Sequence, residues 1–315
     1  MTIQYILSAE IEYDKLICAD AGPAYAANMG WAYDTINNID NYNVAVLIID
    51  NRLSPPECEK ITAYMESHPG IYFGLCVTDP GEYNYYHWYY NFLAASAKYP
   101  NTFILAKYHA AGLLKIIQSA YGSHRYIALG YPYDKQKEIN RDDQKQKLIF
   151  TGAVSDVYPE RKHFLKRFKR SPLFFLIDVL PHPGYADIGQ QRKHNLVGDD
   201  FINFLSGYMF MYVSGSRYQV ELLKYNECAY AGALPVGLPP ETYPDEIKAL
   251  FFRPVFSVSG IRQFFNYLRF TKAEDARVKI ETLRGYLREH NSPAALNERL
   301  AIFISALTAQ KSTNV

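Results

Sequence analysis

The chain has 315 residues and a formal net charge of +1, from 33 basic and 32 acidic side chains. This balance excludes the strongly basic footprint that is typical of proteins that bind nucleic acid. The length is sufficient for two domains of ordinary size, each with its own hydrophobic core.

The first part of the chain alternates short apolar runs with amphipathic stretches, a pattern typical of β-α units around a parallel sheet. The predicted strands are 4–7, 44–49, 72–77, 102–106 and 126–129. The predicted helices are 54–67, 83–98 and 110–120. Together they predict one complete N-terminal domain.

Residues 130–146 are mostly polar, so we interpret them as a linker. We therefore expect an N-terminal domain over 1–145, with the linker at its end, and a C-terminal domain over 146–315. The last helices of the second domain are free to pack back on the first. The second domain's predicted strands are 147–151, 174–178, 209–213, 233–236 and 254–258. Its predicted helices are 160–168, 199–205, 219–231, 241–251, 261–270 and much of 272–309.

Open parallel sheets bind ligands in the crevice beyond the carboxyl ends of their strands. Two such domains that face each other would form one cleft between them. The linker would then act as a hinge.

The segment 224–236 combines a helix end, a glycine and a new extended run. The residues before Gly232 favour a helix, Gly232 is suited to a positive φ, and an extended path resumes at Leu234. Glu227 therefore lies near the predicted C-terminal end of a helix.

This segment resembles the nucleotide-sugar site of glycosyltransferases with the GT-B fold, and most closely the group related to spore-coat maturation glycosyltransferases. In that group a helical Glu stands five residues before a Gly, as Glu227 does before Gly232, and the same Pro-Val pair follows here at Pro235. The resemblance implies that Glu227 holds the ribose hydroxyls. It also implies that Lys224, in place of the more usual Arg, faces the diphosphate.

A second match lies near the start of the C-terminal domain. The strand 147–151 is followed by Gly152 and then by a Tyr-Pro-Glu-Arg element from Tyr158 to Arg161, in the order that the family shows. The resemblance implies donor contacts from Gly152, Tyr158 and Arg161, with the glycine allowing the backbone to approach the phosphates. The resemblance also implies an α/β fold with two Rossmann-like domains whose parallel sheets face each other across a cleft. The nucleotide-sugar donor would then lie on the C-terminal domain and the acceptor on the N-terminal one.

One position departs from the family pattern. Many retaining members carry a further Glu eight residues before the ribose-binding one, where this chain has Gln219. Glu221 is out of register with that position. We therefore assign the role of that further Glu to no residue of this chain. Whether the reaction retains or inverts the configuration of the sugar stays open.

Sugar transfer from a nucleoside diphosphate places negative charge on the departing diphosphate, which basic side chains and backbone N–H groups can stabilise. Ser214 and Arg217 follow the predicted strand 209–213 and lead towards Lys224. Arg217 and Lys224 share a helix face if that helix begins early enough. The alternative is that Arg217 caps the loop or pairs with a surface acid.

The acidic pairs do not indicate a metal site. No Asp-x-Asp pair stands at a suitable place, and the adjacent acids at 142–143 and 199–200 are interpreted as linker and helix N-terminus. We therefore expect a metal-independent reaction with no cofactor besides the nucleotide sugar.

An inverting enzyme of this type needs a base near the acceptor hydroxyl, and the N-terminal domain would supply it. Candidates follow two predicted strand ends that would face the cleft, and each also has a purely structural interpretation. They are Asp79, Glu82, His87 and His109, with Asp79 and His109 preferred.

Tyrosine is abundant, with 28 residues, several of them close to His87 and Trp88. Aromatic rings with polar tips suit the faces of sugars. The alternative is a helix that packs these rings into the core.

The leading hypothesis is a glycosyltransferase that acts on a glycan or a lipid-linked acceptor, in surface polysaccharide or glycoconjugate synthesis. The alternatives are a nucleotide-sugar epimerase and a noncatalytic sugar-binding or coat protein. A peripheral membrane contact through the basic run 161–170 is a further hypothesis, against that of an ordinary solvated helix face.

We expect a cytoplasmic protein. Association with the inner face of the membrane is left open. No segment approaches the roughly 20 apolar residues that a membrane span needs, and the first residues do not resemble a secretion signal. The cysteines stand far apart without a Cys-x-x-Cys pair, as expected for free thiols. They are Cys18, Cys58, Cys76 and Cys228.

Overall fold

The computed structural model describes residues 2–13, 16, 22–77, 87–108, 120–184, 191–216 and 220–313. The chain forms two compact units. Unit 1 is built mainly from the chain up to Pro132 and again from Asn291 onward, and unit 2 mainly from Tyr133–His290.

Strands and helices alternate through most of both units. The described strands are β1 (Ile3–Leu7), β2 (Ala32–Thr35), β3 (Val46–Ile49), β4 (Tyr72–Val77), β5 (Thr102–Ala106), β6 (Tyr126–Ala128), β7 (Lys145–Thr151), β8 (Ile177–Leu180), β9 (Tyr208–Val213) and β10 (Leu234–Gly237). The described α-helices are α1 (Pro23–Asn28), α2 (Pro55–Ser67), α3 (His87–Ser96), α4 (Pro159–Phe168), α5 (Gly198–Leu205), α6 (Lys224–Tyr230), α7 (Asp245–Lys248), α8 (Val258–Phe270), α9 (Ala273–His290) and α10 (Pro293–Thr313). No helix in these ranges combines the length and apolarity needed to cross a bilayer.

Unit 1 contains a parallel sheet in the order β2-β1-β3-β4-β5-β6. β1, β3 and β5 are buried along their whole length, as their almost continuous apolar sequences predict for a parallel sheet. The sequence did not predict β2, because its Ala-Tyr-Asp-Thr run is mixed and partly exposed at the edge of the sheet.

The last helix, α10, returns to unit 1. The Trp31 Nε1–H donates to Asn297 Oδ1 at 2.7 Å, and Asn297 Nδ2 donates to the Met29 carbonyl at 2.8 Å. Phe303 packs against Phe103 of β5 with 5.2 Å between ring centroids. Unit 1 is therefore completed by α10, which comes after the main segment of unit 2 in sequence.

Unit 2 contains a parallel sheet in the order β10-β9-β7-β8. The chain begins this sheet at β7, adds β8 on one side and then places β9 on the other. The sheet's topological switch point therefore lies between β7 and β9, where open parallel sheets bind ligands beyond the strands' carboxyl ends. The prediction of an α/β fold with two parallel, Rossmann-like sheets is confirmed. The cleft between them stays a prediction.

Two strands predicted for unit 2 differ from the structure: 174–178 in its bounds and 254–258 in its type. Residues 172–176 form a 3₁₀-helix before β8, because Pro172 starts a tight turn whose N-cap Ser171 accepts a hydrogen bond from Leu173 N–H. Residues 254–258 do not form a strand. Ser257 instead caps α8 by accepting from the Gly260 N–H at 3.1 Å.

The helix predicted over 219–231 begins at Lys224 and ends at Tyr230 in the structure. The chain just before it forms a turn, in which the Tyr225 N–H donates to the Leu222 carbonyl at 3.1 Å. Gly232 has a φ of 66°, which confirms the expected left-handed glycine after the helix.

The polar segment interpreted as a linker packs within unit 2 from Tyr133 onward. Its Ile139 N–H donates to the Tyr230 carbonyl at 2.7 Å, and Tyr133 stacks on Tyr230 with 4.6 Å between ring centroids. These contacts anchor the segment to the end of α6. Its role as a hinge stays a prediction.

Candidate functional site

Three neighbouring strands of unit 2 bring candidate residues to one edge of the sheet. β7 ends at Thr151 and is followed by Gly152, β9 is followed by Ser214, and β8 leads to His182 two residues beyond its end. Because the strands are parallel and adjacent, their carboxyl ends lie at the same edge.

Gly152 lies at the centre of this edge, between two cationic side chains. Its φ is +97°, a region that side-chain-bearing residues rarely adopt. A Cβ there would lie 2.9 Å from Arg161 Nη1 and 3.1 Å from Lys224 Cε. The absence of a Cβ therefore allows the Arg161 guanidinium and the Lys224 ammonium group to lie against the backbone at Gly152.

Arg161 is a buried side chain of α4, only 3% exposed. Its Nη2 donates to the Ser214 carbonyl at 3.0 Å, and its guanidinium lies 4.1 Å from the centroid of the Tyr158 ring. Tyr158 and Ser214 thus hold the guanidinium beside Gly152. Both were predicted to contact the donor, and those donor contacts stay predictions.

Lys224 is the first residue of α6. Its Nζ donates to Thr151 Oγ1 at 2.6 Å and lies 3.9 Å from Glu227 Oε2. The two charged side chains are 11% and 18% exposed, so solvent still reaches them. Burial lowers the pKa of Lys224 below its usual value, Glu227 opposes this shift, and Arg161 adds to it.

His182 belongs to the same cationic cluster, and the sequence did not predict it. The Gly184 N–H donates to His182 Nδ1 at 3.1 Å, so the neutral ring carries its proton on Nε2. Burial lowers the pKa of His182 to about 4, and the charges of Lys224 and Arg161 act in the same direction. His182 is therefore a neutral hydrogen-bond donor at pH 7.

Several predicted site residues lie outside the described part of the chain. They are Asp79, Glu82, His109 and Arg217, as well as Gln219. A shared helix face for Arg217 and Lys224 was expected only if the helix began early enough, and α6 begins at Lys224.

His87 is described, and it begins α3 as an exposed residue. Its ring contacts the Trp88 ring edge-on, with 5.3 Å between centroids. The neighbouring Tyr89 is buried, and its hydroxyl donates to the Cys76 carbonyl at 2.8 Å. Tyr89 is therefore a core residue and does not line a sugar platform.

The acids considered for a metal site have other contacts. Asp142 pairs with Arg277, and Asp199 and Asp200 lie in the first turn of α5, as predicted. Within the described ranges, no group of three or more His, Cys, Asp or Glu side chains could hold a metal ion.

Unit 1 carries a buried charge cluster at the carboxyl edge of its own sheet. Asp50 follows β3 and Lys107 follows β5, with side chains 0% and 1% exposed. Lys107 Nζ donates to the Tyr5 hydroxyl at 2.7 Å and lies 3.8 Å from Asp50 Oδ1. Arg52 lies 3.9 Å from the same carboxylate oxygen. Sequence reasoning did not select this cluster.

No protein-family model matches the sequence, and no curated protein is a significant match. Solved structures do match. The N-terminal domain of trehalose-6-phosphate phosphatase from Candida albicans has a TM-score of 0.56 at 9% identity, over 86% of this chain and 72% of that one. The UDP-forming α,α-trehalose-phosphate synthase of Burkholderia vietnamiensis has a TM-score of 0.56 at 9% identity, over 88% and 76%.

A trehalose-6-phosphate synthase studied for glycosyl transfer with retention has a TM-score of 0.52 at 10% identity, over 87% of this chain and 76% of that one. At these identities the likeness concerns the fold. The chain has the fold of the GT-B glycosyltransferases. Membership of the spore-coat-related group stays a prediction.

Proposed function

We propose that the chain is a glycosyltransferase that moves a sugar from a nucleoside-diphosphate sugar to a hydroxyl group of a glycan or a lipid-linked acceptor. The reaction would need no metal ion and would serve surface polysaccharide or glycoconjugate synthesis. The observation that carries this proposal is the placement of Lys224 and Arg161 around Gly152, at the switch point of the unit 2 sheet.

This cluster suits a diphosphate leaving group. Negative charge accumulates on the diphosphate as the anomeric bond breaks, and preorganised cations stabilise that charge most effectively where solvent is scarce. Lys224 and Arg161 supply two such cations, and both are held by hydrogen bonds to unit 2. His182 adds a neutral donor at the same edge.

Glu227 is placed to recognise the sugar part of the nucleotide. It lies one turn after Lys224 on α6, and its carboxylate is 3.9 Å from the Lys224 ammonium. A carboxylate accepts charge-assisted hydrogen bonds from vicinal hydroxyls such as those of ribose. The two residues would therefore contact neighbouring parts of one donor molecule.

The first experiment is a thermal-shift screen with UDP, GDP, CMP, dTDP and ADP, with and without magnesium. Because a ligand that binds only the folded state raises the melting temperature, one nucleotide should stabilise the protein irrespective of metal. Release of that nucleoside diphosphate from its sugar conjugate only when an acceptor is present would identify a transferase. Stabilisation by none of them would contradict the proposed donor site.

A further inference from the structure

The end of α4 and the 3₁₀-helix after it form a strongly basic surface of unit 2. From Arg161 to Ile177 the sequence contains six Lys and Arg residues and no acidic residue. Most of these basic side chains are exposed and lie in or just after the last turns of α4. They are Lys166, Arg167, Lys169 and Arg170.

Large apolar rings are exposed beside these basic residues. Phe174 is 36% exposed and Phe175 is 64% exposed, directly after Arg170 and Pro172 in sequence. Phe270, the last residue of α8, is 69% exposed. Rings this large are normally buried, so the exposure of all three on unit 2 requires an explanation.

These rings lie at the same end of the unit 2 sheet. Gln146, near the start of β7, donates from Nε2 to the carbonyls on either side of Phe270 at 2.9 and 3.1 Å. Phe175 lies two residues before Ile177, which pairs with Leu148 of β7. Both rings therefore flank the amino end of the β7–β8 pair, at the opposite edge from Gly152.

The acidic residues nearest to this end do not neutralise the basic surface. Asp178 already pairs with Lys147 at 2.8 Å. Glu274 and Asp275 lie in the first turn of α9, where the positive end of the helix dipole favours them. Within the described residues, Lys166, Lys169 and Arg170 make no ion pair, so their charge is available to a partner.

We propose that this surface, defined by Lys166, Lys169, Arg170, Phe174, Phe175 and Phe270, docks unit 2 onto an anionic lipid bilayer. Basic side chains are attracted to anionic headgroups, while exposed aromatic rings enter the boundary between headgroups and acyl chains. A second copy of this surface would bring like charges together. The donor cluster lies at the opposite edge of the sheet and is not used in docking.

The test is co-sedimentation of the whole chain with vesicles of phosphatidylcholine alone and with vesicles that also contain phosphatidylglycerol. We expect binding to the phosphatidylglycerol vesicles only, and we expect added salt to weaken it because salt screens surface charge. Equal binding to both vesicle types, or binding to neither, would overturn the proposal.

Two variants separate the charge from the rings. The double variant Lys169→Glu and Arg170→Glu should weaken vesicle binding by at least about tenfold. Phe175→Ser should weaken it several-fold by removing the inserted ring. Ile302→Ser is the matched control, since Ile302 is also 64% exposed but belongs to α10 of unit 1. Its vesicle binding should be unchanged.

Two further results would contradict docking at this surface. Vesicle binding that is unchanged in both variants would place the contact elsewhere. Displacement by a short DNA duplex, with no loss of binding in Phe175→Ser, would show a general polyanion site in place of a bilayer contact. Nucleotide-induced thermal stabilisation should persist in both variants, so failure of docking and failure of the proposed donor site are distinguishable.

Discussion

Charged residues lie at the carboxyl edge of both sheets, but the two units bury these residues differently. In unit 1, Lys107 and Asp50 are sealed from solvent and the ammonium group is hydrogen-bonded to Tyr5. In unit 2, the side chains of Lys224 and Glu227 remain partly exposed, and Lys224 lies close to Gly152.

This difference shows that charged residues at the carboxyl edge of a sheet do not by themselves define a ligand site. In a buried ion pair such as Asp50–Lys107, each charge compensates the other, and removal of one member leaves an uncompensated buried charge. A cation that solvent still reaches, beside a glycine with no Cβ, is instead available to an anionic ligand. The comparison therefore supports a stabilising role for the unit 1 cluster and is consistent with the proposed donor binding by the unit 2 cluster.

The largest expected effect concerns the unit 1 cluster. Lys107→Ala should lower the free energy of unfolding by about 3–5 kcal/mol, because it leaves the buried Asp50 carboxylate without its ammonium partner. Urea denaturation measures this change. Lys98→Ala is the control, because Lys98 is 64% exposed in its pair with Glu66 and should have little effect. Equal losses of unfolding free energy in the two variants would mean that the buried pair adds no more stability than an exposed one. The distinction between the two sheet edges would then be lost.

The next effect concerns catalysis in unit 2. Lys224→Ala should lower kcat by about 100-fold and weaken donor binding less, if Lys224 meets charge that develops on the leaving diphosphate. Steady-state kinetics measures kcat, and calorimetry measures the affinity for the donor. Lys224→Arg, which keeps the charge, should retain part of the rate. An equal loss in kcat and affinity would indicate simple ground-state attraction.

A smaller effect is expected at Glu227. Glu227→Ala should weaken donor binding by about tenfold, because it removes a charge-assisted hydrogen bond to the ribose. Glu227→Gln keeps the shape of the side chain and should lose less affinity. Calorimetry with the nucleotide found in the thermal-shift screen measures both. Unchanged affinity in the alanine variant would refute the role of Glu227.

The smallest effect concerns the pH dependence of stability. His182 has a pKa of about 4 in the folded protein, against roughly 6.5 in an unfolded chain. Between these values the unfolded state binds more protons, so the free energy of unfolding falls as the pH decreases. We expect His182 to contribute about 1 kcal/mol to this loss, since its ring is only partly buried.

His182→Gln tests this contribution because glutamine does not titrate. Unfolding by urea at a series of pH values between 7 and 4 should show a smaller acid-induced loss for the variant than for the original chain. Identical curves would mean that neither burial nor the cations around Gly152 lower the pKa of His182. That result would also weaken the comparison between the two edges.

The sequence predicted the strands of both sheets well where they are apolar and buried. β4 and β5 match the predicted bounds, since their apolar runs are interrupted at both ends. β2 was missed because an exposed edge strand needs no apolar pattern. Residues 174–176 of the 3₁₀-helix were predicted as the start of the strand 174–178, because Leu and Phe residues suit either structure and only the preceding Pro172 distinguishes them.

The candidate site was predictable in part, through motif spacing. Spacing selected Gly152, Arg161 and Lys224, and the structure brings these three together. Motif spacing could not select His182, because the position of His182 at the same edge as Gly152 depends on how β8 pairs with β7. A His-Pro-Gly run just after a predicted strand end was the available signal. The Asp50–Lys107 pair joins residues 57 positions apart, so local pattern does not reveal it.

The return of α10 to unit 1 also affects the order in which the protein can be completed during synthesis. Residues Tyr133–His290, which make up nearly all of unit 2, leave the ribosome before Pro293–Thr313. Domains generally fold as their residues emerge. Unit 1 begins first but waits for Asn297 and Phe303, so the unit that starts synthesis is the last to acquire its full core.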